Sequence, residues 1–176
     1  MSQSSLSIEL ALLGFLRQEP KHGYAIHQEL ADPAGLGPVW HIKRSRLYAL
    51  LNKLEEAGYI TATTEEQESR PPRKVFHLTE AGKRAFSAWV QSPVSHGRAL
   101  RLEFLLKLYF ARLEGKDVTA RLLATQREQC HQWLATEQEV IEEERTSGHR
   151  YGRLVHEFRA GQLRAMLGWL ERCQVE

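Results

Sequence analysis

Residues 40 to 60 contain the side chains whose types and spacing suggest chemistry most directly. Arg46 and Asn52 have the donor geometry to read the edges of guanine and adenine in a duplex. Between Pro33 and Leu54 the chain has no Asp or Glu, and the basic residues there are Lys43, Arg44, Arg46 and Lys53. The stretch therefore favours recognition of a polyanion through hydrogen bonds and positive charge.

The leucines of this stretch predict an α-helix. They recur at i, i+3, i+4 and i+7, on one helical face: Leu47, Leu50, Leu51 and Leu54. At about 100° per residue, the other face and its flanks present Ser45, Arg46, Tyr48, Ala49, Asn52 and Lys53. Gly58 follows the last apolar turn, where helices commonly end. Small residues flanked by donors suit a major groove, although a solvated amphipathic helix shows the same spacing.

The histidines and cysteines of the sequence show no catalytic or metal-binding pattern. His22, His27, His41, Cys130 and His131 form no HExxH, CxxC or other metal-ligand spacing. Adjacent residues on a helix point about 100° apart, so Cys130 and His131 do not pair as nucleophile and base. A glycine-rich phosphate loop is also missing from the sequence. We therefore expect no enzymatic activity, no bound metal and no cofactor.

Composition sets looser limits. The 176 residues make one large domain or two small ones, and 42% hydrophobic with 26% charged residues is ordinary for a globular protein. The net charge of +2 is too small to argue for nucleic acid, so the local charge distribution must carry that case. Cys130 and Cys173 fit a reducing cytosol, as small buried hydrophobes rather than redox sensors. Without a basic N-terminal region or a long apolar run, we expect a cytoplasmic protein with no membrane segment.

The first half of the chain predicts helices followed by a hairpin. Ser4 or Ser5 can cap a first helix reaching Leu16, and a second helix runs from about His22 to Leu30. After the helix of the 40s, residues 59–64 and 73–78 have strand patterns joined by a polar loop. Thr79 then caps a helix whose apolar side carries Phe86, Trp89 and Val90.

Three helices and a hairpin in this order predict a winged helix-turn-helix. In that arrangement the third helix enters the major groove and the hairpin, or wing, lies along the DNA backbone. The wing carries three cations suited to phosphate contact: Arg70, Arg73 and Lys74. The acidic residues of the same hairpin must face away from DNA if this interpretation is right: Glu65, Glu66 and Glu68.

The second half reads as helical. A linker from Gln91 to Gly97 precedes helices over Leu100–Leu113, Asp117–Thr146, with Asp117 as cap, and Tyr151–Cys173. The apolar stripes of the last two are narrow and leave Trp133, Val140, Phe158 and Trp169 unpaired in a monomer. Pairing with a second copy would cover them, and an intramolecular helical hairpin packed on the first domain is the alternative. Trp89, Trp133 and Trp169 are candidates for binding a planar effector, or else core residues.

Four segments resemble the PadR family of bacterial transcriptional regulators, in the family's order. They are Leu12-Leu13-Gly14-Phe15-Leu16, His22-Gly23-Tyr24-Ala25-Ile26, the run from Ser45 to Ile60, and Pro72 to Gly82, which includes Leu78-Thr79-Glu80-Ala81-Gly82. Residues 98–176 are similar, by pattern and length, to the helical dimerisation region of one branch. The resemblance implies a dimeric winged-helix protein, usually a repressor released by a small effector. By position, Tyr24 and Tyr48 would fix the unit on the DNA backbone, with Arg46, Ala49 and Asn52 at the groove.

The expected protein is thus mainly α-helical. A winged helix-turn-helix DNA-binding domain over residues 1–92 would precede a helical dimerisation domain over residues 98–176, acting on a palindromic duplex operator. This chain departs from the family where Lys43 and Arg44 stand at a helix start that commonly has a capping or small residue. The alternative function is a winged-helix module that binds protein, which would expose apolar residues on the third helix and need no basic wing.

Overall fold

The computed structural model of the chain describes residues 7–67 and 70–173, without the side chains of residues 66–72. The elements in chain order are α1 Ala11–Gly14, β1 Lys21–His22, α2 Gly23–Leu30, α3 Arg44–Glu56, β2 Ile60–Gln67, β3 Arg70–Leu78, α4 Glu80–Gln91, a 3-10 turn Gly97–Arg101, α5 Glu103–Glu114, α6 Lys116–Thr146 and α7 Arg150–Arg172. The mainly helical winged-helix architecture expected from the sequence is confirmed. No helix in the described part of the chain is long and apolar enough to cross a bilayer.

Helix α3 forms where the leucine spacing predicted it. Its four leucines are buried, with exposed fractions of 3% or less. The chain leaves the helix at Gly58, whose φ of +73° lies in the left-handed region that favours glycine. The local signals of apolar period and C-terminal glycine agree with the tertiary packing here, so this part of the prediction is correct.

The hairpin is longer than the sequence suggested. Strands β2 and β3 pair antiparallel from Ile60 opposite Leu78 to Gln67 opposite Arg70, with an irregularity between Glu65 and Gln67. The polar loop predicted over 65–72 is therefore largely strand, because an outer hairpin is exposed on both faces and shows no apolar alternation. A two-residue strand, β1, adds to the other edge of β3 with Lys21 opposite Phe76, although the sequence predicted no strand before the second helix.

The N-terminal helix is shorter than predicted. Only Ala11–Gly14 is α-helical, and the residues before it make tighter bonds, with Ala11 N donating to Ile8 O and Leu12 N to Glu9 O. Such i to i−3 bonds belong to a 3-10 turn, which is used in short pieces. The segment is central all the same, since Leu12 and Leu13 are fully buried. The predicted caps Ser4 and Ser5, and Leu6, lie outside the described residues.

Capping decides the starts of the later helices. Thr79 caps α4 as predicted, since its hydroxyl accepts a hydrogen bond from Gly82 N at 3.0 Å. We expected Asp117 to cap α6, but it lies in the first turn of that helix. Its negative charge is stabilised there by the positive end of the helix dipole. Gly115 occupies the cap position with φ of +120°, a conformation that a side chain would strain.

One apolar core continues from the helix-turn-helix into the C-terminal helices. Phe110 of α5 meets Phe15 and Phe86 edge-on, at centroid distances of 5.3 and 5.7 Å. Helix α6 packs on α4 and α5, and α6 with α7 forms an antiparallel hairpin within the chain. Trp169 meets Phe104 at 6.0 Å and Trp133 packs on the core, so the expectation that both are unpaired in one chain is wrong.

A buried polar cluster fixes the turn between α4 and α5. We call it the α4–α5 joint: Ser92, Pro93, Val94, Glu103, Lys107 and Gln126. Lys107 Nζ donates to Ser92 O and Oγ at 3.0 and 3.1 Å and pairs with Glu103 at 3.2 Å. Gln126 Oε1 accepts from Val94 N at 2.9 Å, and all its surface is buried. The segment predicted as a simple linker is thus held by side chains from α5 and α6.

Candidate nucleic-acid interface

The outward face of α3 combines small and hydrogen-bonding side chains. Ser45, Arg46, Ala49 and Asn52 are all exposed, while the leucines behind them anchor the helix in the core. No carboxylate lies in the first turn of the helix, and its N-terminal cap, Lys43, makes no side-chain cap bond. This face can approach a surface closely at Ala49 and donate hydrogen bonds on either side of it.

Helix α3 is set against α2 through a glycine and a tyrosine. A Cβ on Gly23 would lie 2.7 Å from the Tyr48 ring, so only glycine leaves room for that ring without displacement. Tyr48 is accordingly half-buried rather than fully presented to solvent. The His27 ring nitrogen Nε2 lies 3.2 Å from Ile42 O, which ties the loop before α3 to α2. These contacts give a structural reason for the glycine and tyrosines of the helix-turn-helix.

The side chains of Tyr24 and Arg44 are in cation–π contact. The guanidinium carbon of Arg44 lies 5.1 Å from the centroid of the Tyr24 ring, and Tyr24 is 50% exposed. Gln28 Nε2 donates to the Tyr24 hydroxyl at 3.2 Å. The three side chains contribute to one exposed stack at the start of α3. Sequence reasoning missed Gln28, although its i+4 spacing from Tyr24 on a helix was a usable signal.

Two of the predicted DNA-contacting lysines have carboxylate partners within the chain. Lys53 Nζ lies 3.6 Å from Glu9 Oε1, and Lys74 Nζ lies 3.5 Å from Glu55 Oε2. Both lysines are exposed, so each pair is weak and can be exchanged for another anion. The sequence contained no signal for these pairs, because their partners come from other elements.

The wing presents Arg73 without such a partner among the described residues. Arg73 is exposed on β3 and lies opposite Glu65 in the strand register. The Glu65 carboxylate lies 3.9 Å from His22 Nε2, towards β1. Arg70 begins β3, but its side chain is outside the described part, as are the side chains of Glu66 and Glu68.

The three candidate tryptophans do not share one site. Trp89 is 5% exposed and packs between Phe86 and the Lys107 ammonium, with its ring 5.4 Å from Nζ. Trp133 is half-buried on α6. Trp169 lines a cavity of about 450 Å³, which is also lined by Leu36, Val39, Tyr109, Arg112 and Arg172 among others. Of the three, Trp169 is the residue that borders this cavity.

The titratable groups with shifted pKa values in the core have structural roles and not catalytic ones. Burial lowers the pKa of Lys107, and the Glu103 carboxylate beside it opposes that shift. Burial raises the pKa of the Cys130 thiol, which keeps it protonated in the core. Within residues 7–67 and 70–173, no group of three His, Cys, Asp or Glu side chains is arranged to hold a metal ion.

Two segments of the chain match known families. Residues 12–88 match the Transcriptional regulator PadR-like family, and residues 100–175 match the Virulence activator alpha C-term family. Residues 12–88 therefore form a PadR-like family domain. The predicted family is confirmed, and since the family consists of transcriptional regulators, the expectation that this protein is not an enzyme is confirmed with it.

Relatives of this PadR-like chain are similar over part of their length. The Negative transcriptional regulator PadR of Bacillus subtilis is 32% identical over 115 residues, which are 63% of this chain and 62% of the relative. A probable transcriptional regulator of Mycobacterium tuberculosis is 25% identical over 93 residues, 53% of this chain and 48% of that protein. The structure of Bacillus subtilis PadR in complex with operator DNA is 26% identical, covers 96% of both chains and has a TM-score of 0.48. The matches thus span between about half and two thirds of the two relatives aligned by sequence.

Proposed function

We propose that this PadR-like protein is a homodimeric, sequence-specific, cytoplasmic DNA-binding regulator that represses transcription. The outward face of α3 carries the proposal: it is exposed, free of carboxylates in its first turn and rich in donors around Ala49. Arg46 and Asn52 read base edges, and the other residues contact the DNA backbone and so position the protein on the duplex. The backbone set is Tyr24, Lys43, Arg44, Ser45, Tyr48, Lys53, Arg70, Arg73 and Lys74, of which Tyr48 acts from a half-buried position.

Residues 1–92 supply the DNA-binding domain in this proposal, and residues 98–176 supply the dimerisation domain. Support comes from α7, where large apolar side chains stay exposed within one chain: Tyr151 at 80%, Leu154 at 57% and Phe158 at 66%. Their spacing of three and four residues places them on one helical face. An exposed apolar stripe of this kind is typical of an interface, and a second copy of α7 covers it.

The protein-binding alternative predicts a different α3. A module that docks on protein would present large apolar side chains on that helix, whereas here Ser45, Arg46, Ala49 and Asn52 face outwards. Retention on heparin with elution by moderate salt supports the DNA-binding function. Passage through heparin without retention supports the protein-binding module.

The test of the proposed function is DNA binding by the full chain. Fluorescence anisotropy is measured with a duplex from the region upstream of the protein's own gene, since such regulators often control themselves, and with a random duplex of equal length. We expect tighter binding to the upstream duplex, and light scattering should give about twice the chain mass of 20.3 kDa. Equal binding to both duplexes, confirmed by footprinting, contradicts autoregulation at that site, and a monomer contradicts the dimer.

We also propose that an effector releases DNA by changing dimer geometry. Two α3 helices related by a two-fold axis fit one duplex only at a spacing of about 34–36 Å or a multiple. The cavity beside Trp169 lies between the loop before α3 and helices α5 and α7, so a ligand there can alter how the arms carry the α3 helices. Trp89 and Trp133 report such movement by fluorescence, while Trp169 makes ligand contact.

A titration of planar aromatic compounds tests the effector proposal. The measured quantities are tryptophan quenching and release of the upstream duplex, followed in the same sample. A shared midpoint for both supports release through this cavity. The proposal is contradicted by a compound that releases DNA without changing tryptophan fluorescence in the wild type, and that releases DNA equally well from Trp169→Leu.

A further inference from the structure

The stack of Tyr24 and Arg44 holds a cation without neutralising it. Arg44 lies 5.1 Å from the ring centroid of Tyr24 and has no carboxylate partner among the described residues. Tyr24 stays 50% exposed, and its hydroxyl accepts a hydrogen bond from Gln28. An aromatic face attracts the guanidinium but accepts none of its conventional N–H hydrogen bonds. The donors and the full charge of Arg44 therefore stay available to a further partner.

Other cations of the same surface are held differently. Lys53 and Lys74 lie beside Glu9 and Glu55, at 3.6 and 3.5 Å. Each carboxylate offsets part of the charge of its exposed lysine, so an incoming phosphate competes with it. An aromatic ring orients the guanidinium of an arginine without placing an anion beside it, so a phosphate has no anion to compete with. Among the described side chains, Arg44 is thus oriented by a ring and makes no ion pair, although the carboxylates of Glu29 and Asp32 line the same groove.

Helix stability does not explain the position of Arg44. It is the first residue of α3, next to the cap Lys43 and without an acid in the first turn. A cation at the positive end of a helix dipole is unfavourable, commonly by a few tenths of a kcal/mol or more. Tyr24 compensates for part of this cost through the stack. The arrangement makes physical sense when an anion approaches the same point from outside.

We propose that Tyr24 is a positioning residue that acts through Arg44. Its ring holds the Arg44 guanidinium towards a backbone phosphate of bound DNA, and its own hydroxyl is not the main contact. The proposal rests on the DNA-binding function above, and assigns to Tyr24 a different role from the direct backbone contact implied by family resemblance. It also explains why a tyrosine is half-exposed beside the reading helix.

A double-mutant cycle measures this coupling on the full chain. Affinity for a random duplex is measured by anisotropy for wild type, Tyr24→Leu, Arg44→Gln and the double variant. An exposed cation–π contact predicts that Tyr24→Leu weakens binding about two- to fivefold when Arg44 is present. In the Arg44→Gln background, the same change should have little effect. Equal losses in both backgrounds overturn the proposal.

Two further readouts separate positioning from folding and from direct contact. Tyr24→Phe keeps the ring and should bind like wild type, whereas a loss equal to that of Tyr24→Leu means that the hydroxyl itself makes the contact. Loss of the Arg44 phosphate contact should lower the slope of log K against log salt, by up to about 0.9, in both Tyr24→Leu and Arg44→Gln. An unchanged slope in Tyr24→Leu, with an unchanged melting temperature, contradicts the proposal.

The same measurements keep this inference distinct from the proposed function. If the wild type binds neither the random nor the upstream duplex at low salt, the DNA-binding function itself fails. If the wild type binds with a clear salt dependence and the cycle is additive, only the role of Tyr24 fails. Lys43→Gln is the matched control, since it removes a neighbouring cation that no ring holds, and its effect should be the same with Tyr24 or Leu at position 24.

Discussion

The outward face of α3 and the α4–α5 joint both gather polar side chains, but they use them in opposite ways. On α3, Arg46 and Asn52 are exposed and have no charged partner among the described residues. In the joint, Lys107 is 2% exposed, and its ammonium is occupied by Glu103 and Ser92. The comparison teaches that unsatisfied donors at a surface can bind a partner, whereas satisfied buried donors fix how two parts of the chain meet.

The largest effect is expected from Lys107→Ala. Removing the cation leaves the buried Glu103 carboxylate with the Ser7 hydroxyl but without a counter-charge, which should reduce the free energy of unfolding by about 3–5 kcal/mol. Urea denaturation measures it. The double variant Lys107→Met with Glu103→Leu should recover most of the loss, because an apolar pair of similar volume carries no desolvation cost. A loss below about 1 kcal/mol in the single variant would remove the distinction between the two regions.

A smaller effect on stability is expected from Gln126→Leu. The Val94 N–H is buried and loses its acceptor, which should cost about 1–3 kcal/mol of unfolding free energy. Gln132→Leu, at an exposed position of the same helix, should change stability by no more than about 0.5 kcal/mol. Similar losses in the two variants would mean that the bond to Val94 contributes nothing specific.

The α3 face should respond in binding and not in stability. Arg46→Ala or Asn52→Ala should cost about 1–3 kcal/mol on the specific duplex and little on random DNA, because each removes a base-edge contact of the proposed function. Anisotropy with both duplexes measures the difference, and urea denaturation should show an unchanged unfolding free energy. Equal losses on both duplexes would assign these residues to the DNA backbone.

The smallest effects on DNA affinity are expected in the wing. They test whether a carboxylate partner within the chain weakens the contribution of a cation to binding. Arg73→Gln and Lys74→Gln should weaken binding to every duplex alike, since the proposed function places both cations at phosphates. Each true phosphate contact removed should lower the salt slope by about 0.9. Arg73→Gln should have the larger effect, because Lys74 must first leave Glu55. An unchanged slope in the double variant would put the wing away from DNA.

Features set by neighbouring residues were predictable from the sequence. The leucine period, Gly58 and the Thr79 cap each depend on contacts within a turn or two, and the structure has them as expected. The exposed residues of α3 followed from the same period. The long hairpin and the strand β1 did not follow, because edge strands have no apolar alternation and their pairing is set by distant residues.

Long-range contacts were decided by the tertiary structure alone. The sequence predicted an unpaired Trp169, a plain linker, and DNA contacts by Lys53 and Lys74. In the structure Trp169 packs on Phe104, and Lys107 donates a hydrogen bond to Ser92. Glu9 and Glu55 lie beside Lys53 and Lys74. Helical period shows which side of a helix is apolar, but not which element covers it. The amino-acid sequence therefore determined helix α3, its end at Gly58, the Thr79 cap and the donors of α3 that face outwards. Which of those donors remain free for a partner depended on the fold, because their competitors come from other elements of the chain.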